Sequence, residues 1–303
     1  MIKTLIYPFY RLSHDLLFAS RKLNPFFPTR HGDKEVKVGH ISSEHLENPA
    51  LDDQLEAKFR EMGIPVHPFD IDATAYQAYL TAANYPADYY GGGQDGEGNF
   101  TEKTLEHFVS LQFLRLGHES TFVDIAACTS PFSEIVRRLE KVSNTYQQDL
   151  IYPKGIHGNR IGGWAHELYL ADEQVDGVSL HCSLEHFEGD SDTRFFQELE
   201  RVLKPGGRAV ILPFYLAYEH SNHIDPAYNL LKRHRPRLDE KARLRHCSWY
   251  QYFSRHYDPI ALQERILTHA PNLELQLYRV QNFREIDPST YLRWIAVFEK
   301  KKI

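Results

Sequence analysis

Cysteine is scarce: three residues, Cys128, Cys182 and Cys247, with no CxxC pair among them. That excludes a cysteine-based zinc set and a disulfide framework, and it suits a reducing, cytosolic setting. No stretch approaches the ~20 consecutive apolar residues that cross a bilayer. Positive charge is not in excess either. Lys+Arg 35 against Asp+Glu 41 leaves a net charge of -6, which argues against a nucleic-acid binder relying on bulk positive charge. What remains is an ordinary soluble composition, 42% hydrophobic and 25% charged, in a chain of 303 residues that can bury a substantial core. The 17 histidines are many, and most will be surface or core residues.

At the N-terminus, Ile2, Leu5, Ile6, Phe9, Leu12, Leu16 and Leu17 fall at helical spacing, among Lys3, Arg11, Arg21 and Lys22, with Pro8 interrupting. No small-residue cleavage site follows. The segment reads either as a helix packed on the protein or as an amphipathic helix making peripheral membrane contact. Residues 1–100 form a mixed N-terminal extension, punctuated by Pro and closed by the glycine-rich break "YYGGGQDGEGNF". From 101 to 303, helical and apolar runs alternate, the mark of a parallel sheet covered by helices. "TFVDIAA", "KVSNTYQQD", "GVSLHCS" and "RAVILPFY" read as strands, and "NLELQLYRV" and "YLRWIAVFEK" close the series. An insertion at about 215–270, rich in His, Arg and Tyr, is too long for a simple connection and suits a lid.

The block "QVDGVSLHCSLEHFEGDSDTRFFQELERVLKPGGRAVILPF" resembles the class I S-adenosylmethionine (SAM)-dependent methyltransferases in the order and spacing of its parts. A strand, an "LEH" turn, a helix, "RVLKPGG" and a buried strand follow one another as in that family. The resemblance extends from about Glu102 to Lys300. It implies an α/β, Rossmann-like sheet of seven mostly parallel strands, the last antiparallel. Helices cover both faces, with the lid between strands five and six. It also implies SAM as cofactor, bound at the carboxyl edge of the strands.

The cofactor positions depart from the family pattern. Its first motif is Asp-x-Gly-x-Gly-x-Gly. Aligned on Asp124, the glycine positions here hold Ala126, Cys128 and Ser130, all small. Such residues do not readily adopt positive φ, so a changed backbone path or a weaker loop is expected. Asp149 is the candidate for the acid that accepts the ribose hydroxyls. At the position of the acid that meets the adenine stands Trp164, which can stack on a ring or belong to the core. "YPKGIHGNRIGG" is denser in glycine than the first motif itself, but it lacks the Gly-Lys-Ser/Thr ending of a phosphate loop.

Methyl transfer needs mainly alignment, and an oxygen acceptor also benefits from a base. His181, Glu185 and His186 surround the end of strand four, with His186 as first choice. The expected activity is SAM-dependent methylation, on oxygen, of a small-molecule or glycan-type acceptor in the cytoplasm. The "SLEHF" turn stands where many nitrogen-methylating members carry Asn/Asp-Pro-Pro-Tyr/Phe, against DNA or protein amide methylation. The alternative is an inactive, methyltransferase-like binding or scaffold protein. A nicotinamide-dependent oxidoreductase fits worse, since GxGxxG is missing. In the insertion, Glu219, His220, His223 and Asp225 have metal-ligating chemistry but no zinc spacing, and no metal is assigned. Arg233, Arg235, Arg237, Arg243 and Arg245 read as a solvated face or as a hold on an anionic acceptor.

Overall fold

The structure is a computed structural model that describes residues 16, 35–39, 49–90, 99–247 and 251–302. The N-terminal amphipathic segment, apart from Leu16, and the core of the glycine-rich break lie outside the described residues. The strands are β1 (Glu35–Gly39), β2 (Val66–Phe69), β3 (Thr121–Ile125), β4 (Asn144–His157), β5 (Arg160–Gly162), β6 (Val175–His181), β7 (Leu203–Leu212), β8 (Ser221–Ile224), β9 (Arg243–Cys247), β10 (Ser254–His256), β11 (Leu273–Val280) and β12 (Trp294–Lys300). The α-helices are α1 (Pro49–Glu61), α2 (Ala73–Ala83), α3 (Asn99–Phe113), α4 (Phe132–Leu139), α5 (Ser191–Val202), α6 (Pro226–Lys232), α7 (Pro259–Leu262) and α8 (Phe283–Ile286). The chain divides into two compact units.

The larger unit spans Phe59–Leu184, Thr193–Phe214 and Glu264–Ile303. Its sheet has the order β2-β11-β12-β7-β6-β3-β4-β5. Strands β5, β4, β3, β6 and β7 run parallel, and β12 is antiparallel to both β7 and β11. This is the Rossmann-like order the resemblance implies, with its antiparallel last strand. The sheet has eight strands rather than seven, because β2 adds itself in parallel beyond β11. Strand β3 is buried along its whole length and β6 nearly so, as continuous apolar runs of a central parallel sheet should be.

Helices cover both faces. Ile295 and Val297 of β12 share one core with Tyr76 and Tyr79 of α2, Leu105 and Val109 of α3, and Ile135 and Val136 of α4. Phe298 follows Val297 in the strand and so projects to the opposite face, where its ring meets Phe196 of α5 at 4.7 Å. Helix α4 shows why such segments fold: Phe132, Ile135 and Val136 are buried, while Arg137 pairs outward with Glu134 at 2.5 Å. Between Leu203 and Arg208 the pairing of β7 with β6 breaks register, and Gly206 takes φ 81 in that break. "KPGG" is thus a bulge leading into the strand.

The smaller unit spans Met1–Lys58, Glu185–Asp192 and Tyr215–Gln263, and its sheet has the order β1-β9-β8-β10. The insertion therefore builds a sheet with β1 from the N-terminal region. Its polar centre is Arg255, fully buried, which donates from Nε and Nη2 to Asp239 (2.6 and 2.8 Å). Its Nη1 lies 3.1 Å from the Asp192 carboxylate and donates to the Phe187 carbonyl at 2.5 Å. Asp192 also accepts from the Tyr257 hydroxyl at 2.8 Å. The turn after β6 is thereby tied to the insertion. Removing one partner of such a set strands the others without water. Arg255→Ala is therefore expected to cost about 3–5 kcal/mol, read by urea unfolding, and Arg255→Lys to recover only part, having one point donor in place of a fork.

Candidate active site

In the larger unit a cavity of about 640 Å³ opens at the carboxyl ends of β3 and β6. One wall is the turn from Asp124 to Pro131, and His181 and Cys182 follow from β6. The facing lining comes from Asp88, Tyr89 and Tyr90 and from Lys103 and His107 of α3. The size is that of a small-molecule or cofactor site.

The glycine-free turn passes through positive φ without glycine. Ala126 and Cys128 adopt φ 53 and 49, the left-handed region that glycine would occupy. Each non-glycine residue there costs about 1–2 kcal/mol, and hydrogen bonds from β4 hold the conformation. The Ala126 N–H donates to Gln148 Oε1 (3.1 Å), and the Ala127 N–H to the Gln148 carbonyl (3.0 Å). The Cys128 N–H donates to Asp149 Oδ2 (2.7 Å), and the Cys128 carbonyl accepts from the Tyr152 hydroxyl (2.6 Å). Gln147 Nε2 donates to the Ser130 carbonyl at 2.5 Å. The parallel pairing of β4 with β3 ends at Gln148, which leaves Asp149 at the sheet edge beside the turn. Its other oxygen accepts the Ile151 N–H at 3.0 Å.

Asp124 is buried under the turn. Its Oδ1 accepts from Ser179 (2.9 Å), its cross-strand neighbour, and lies 3.4 Å from His181 Nδ1. Its Oδ2 is buried without a hydrogen-bond partner. An anionic oxygen so placed in a cavity wall is a ready acceptor for a donor on a bound ligand. His181 Nε2 meets the Ser110 hydroxyl at 2.8 Å.

Of the strand-end residues singled out in the sequence, His181 lines the cavity, together with Asp124, Ala126, Cys128 and Ser130. Glu185 and His186 are not in the lining and fall in the smaller unit, where His186 Nδ1 meets the Phe253 carbonyl oxygen at 2.6 Å. Trp164 is 50% exposed, which removes the core alternative, and its ring lies parallel to His166 at 5.8 Å. In the insertion, Glu219 bridges Arg243 and Arg245, both at 3.2 Å, and His220 meets Asp239 at 3.2 Å. Asp225 caps α6 by accepting the Tyr228 N–H at 3.0 Å. Among the described residues no group of three His, Cys, Asp or Glu is placed to hold a metal, and no helix is long and apolar enough to cross a membrane.

Sequence reading missed the polar row of α3. Lys103, Glu106, His107 and Ser110 recur at i, i+3, i+4 and i+7, so they share one helix face. In sequence such a row looks like a solvent face. Here Glu106, His107 and Ser110 are buried, and the row meets both strand ends. Glu106 accepts from Lys103 (2.9 Å) and from the Cys182 thiol (3.2 Å). Burial opposes the Lys103 charge, but the nearby Cys182 and Glu106 outweigh it and raise its pKa well above the ordinary lysine range.

Residues 123–211 match the family model described as a methyltransferase domain. Over that segment, less than a third of the chain, the sequence is similar to methyltransferase domains. Two solved structures to which it is similar are a 1,6-didemethyltoxoflavin-N1-methyltransferase of Burkholderia thailandensis with bound 1,6-didemethyltoxoflavin and S-adenosylhomocysteine, and a SAM-dependent methyltransferase of Mesorhizobium loti. The first is 16% identical, with a TM-score of 0.46, over 78% of this chain and 94% of that one. The second is 12% identical, with a TM-score of 0.41, over 65% of this chain and 98% of that one. No curated protein matches the sequence.

Burial first, then the charges of His181 and Lys103, hold the His107 imidazole well below its ordinary 6.5. The unfolded chain therefore takes up a proton that the folded chain refuses, so stability falls as pH drops below about 6.5. The expected result is a thermal midpoint that declines between about pH 7 and pH 5, with a shallower decline in His107→Phe, checked by calorimetry. Equal slopes would remove His107 from that role.

Proposed function

We propose that the chain moves a methyl group from SAM to a hydroxyl of a small-molecule or glycan-type acceptor in the cytoplasm, and that His181 handles the acceptor's proton. The observation that carries this reading is the single cavity lined by Asp124, the turn 126–130 and His181. When bound, SAM supplies a methyl already activated on a sulfonium, so most of the rate comes from alignment. The residues fit such a ligand. Asp124 Oδ2 needs a donor, and the backbone of Ala126, Cys128 and Ser130 leaves a shallow wall for the methionine part; Asp149, bonded to lining Cys128, and exposed Trp164 stand outside the cavity lining and would take the ribose and the adenine face beyond it.

His181 Nδ1 faces the Asp124 carboxylate, which favours a proton on that nitrogen and leaves Nε2 to accept one. The Ser110 hydroxyl at Nε2 offers a path from the acceptor oxygen to the ring. Tyr89, Tyr90 and Lys103 form the wall left for the acceptor. The net negative charge and the "SLEHF" turn support an acceptor other than nucleic acid. The N-terminal segment, outside the described residues, is the place for any peripheral membrane contact.

Isothermal titration with SAM and with S-adenosylhomocysteine tests the cofactor arm. No heat up to millimolar ligand from a folded protein would sink it. Asp149→Ala should weaken SAM binding about tenfold, a hydrogen-bonded charge being worth about 1.5–3 kcal/mol, while Glu140→Ala leaves it unchanged. Mass spectrometry of methylated products in a mixed-metabolite screen finds the acceptor. With it, His181→Ala should lower kcat about 10²–10⁴-fold with little change in SAM affinity.

A further inference from the structure

The left-handed turn is pinned on the β4 side by Gln147, Gln148 and Asp149, and a second anchor reaches it from α3. His107 Nε2 lies 3.3 Å from Ser130 Oγ, and Ser130 Oγ also accepts the Phe132 N–H at 3.2 Å. His107 Nδ1 lies 2.8 Å from the Tyr85 hydroxyl, which in turn is 2.6 Å from the Tyr79 hydroxyl. Both ring nitrogens are therefore engaged. Four rings with near-parallel planes cluster at this point: Tyr89, Tyr85 and His107 lie 5.3–6.1 Å from one another, and His107 stacks on Phe132 (4.5 Å, 18°). Tyr89 is a cavity wall, and Phe132 is the first residue of the helix that follows the turn.

We propose that His107, set by Tyr85, is a positioning residue that holds the glycine-free turn in its cofactor-binding shape through Ser130. The proposal rests on the reading that this cavity takes SAM. A strained backbone persists only where its surroundings over-determine it. Glycine at 126 and 128 would adopt the path unaided. Alanine and cysteine need the turn fixed at both ends, by β4 at one and by Ser130 at the other. The neutral imidazole suits this task, since it offers one N–H and one lone pair and brings no charge into the ring stack. The ring cluster also joins Tyr89 of the cavity wall to Phe132 after the turn through His107, and Tyr85 reaches the turn only through His107.

The test uses the full chain and two readouts. S-Adenosylhomocysteine affinity is measured by titration calorimetry. The labelling rate of the exposed Cys128 thiol is measured without ligand, by mass spectrometry of the Cys128 peptide. His107→Phe keeps the stack and removes both hydrogen bonds. It should weaken binding about tenfold and change Cys128 labelling at least about threefold. His107→Gln, whose carboxamide still reaches Ser130, should stay within about threefold of the unaltered chain. Adding Ala126→Gly and Cys128→Gly to His107→Phe should restore most of the lost affinity, which repair of a general folding defect would not do.

Binding by His107→Phe within about twofold of the unaltered chain, or no restoration by glycine, overturns the proposal. If His107→Phe does not fold, Ser130→Ala and Tyr85→Phe decide by the same readouts, and unchanged values in both overturn it. Should the unaltered chain bind no S-adenosylhomocysteine, the cofactor reading fails. The labelling rates then judge the role of His107 in shaping the turn, with an unchanged rate against it.

Discussion

The hydrogen bond from the Cys128 N–H to the Asp149 carboxylate, 2.7 Å long, stands at the centre of the site. A turn that passes twice through left-handed backbone at Ala126 and Cys128 is unstable by itself, by about 1–2 kcal/mol at each residue. It exists because residues 147–149 of β4 present one carboxylate and two carboxamides to it. Once the turn is fixed, α4 starts at Phe132, Asp124 is closed over, and the cavity acquires its wall. Residues 147–149 of β4 are thus the brace of the turn.

That brace explains how a turn without glycine holds left-handed backbone at two positions. Glycine supplies left-handed backbone at no steric cost, whereas here the surrounding hydrogen bonds supply it at the cost of tying several residues to one conformation. Gln147, Gln148, Asp149, Tyr152 and His107 are committed to the turn. Substitutions at any of them act on the turn as well as on their own surroundings.

The smaller unit shows a related economy. Glu219, His220 and Asp225 looked like metal ligands by type, yet each meets a neighbour within the unit: arginines, an aspartate and a helix N-terminus. Arg255 binds Asp192, Asp239 and the carbonyls of Phe187 and Gly189, and so fixes the turn after β6 that carries Glu185 and His186. Residue types alone did not separate a structural ion network from a ligand set, because both draw on the same side chains at similar spacings.

The order of the central strands was legible in the sequence because buried parallel strands are continuous apolar runs, and because "LEHF" and "RVLKPGG" punctuate them at fixed distances. Asp124, the three small residues of the turn and His181 were legible for the same reason, lying at strand ends that the pattern marks. The path of the turn was not, since φ at Ala126 and Cys128 depends on partners some 20 residues further along the chain. The added strand β2 was not legible either, as its pairing with β11 joins segments about 200 residues apart. The polar row of α3 was not singled out, because helical period shows which residues share a side and only packing shows what that side meets. The sequence by itself determined the sheet and the place of the site along it. The tertiary structure decided which polar residues face the cavity, because burial and hydrogen-bond partners come from chain segments that no local pattern connects.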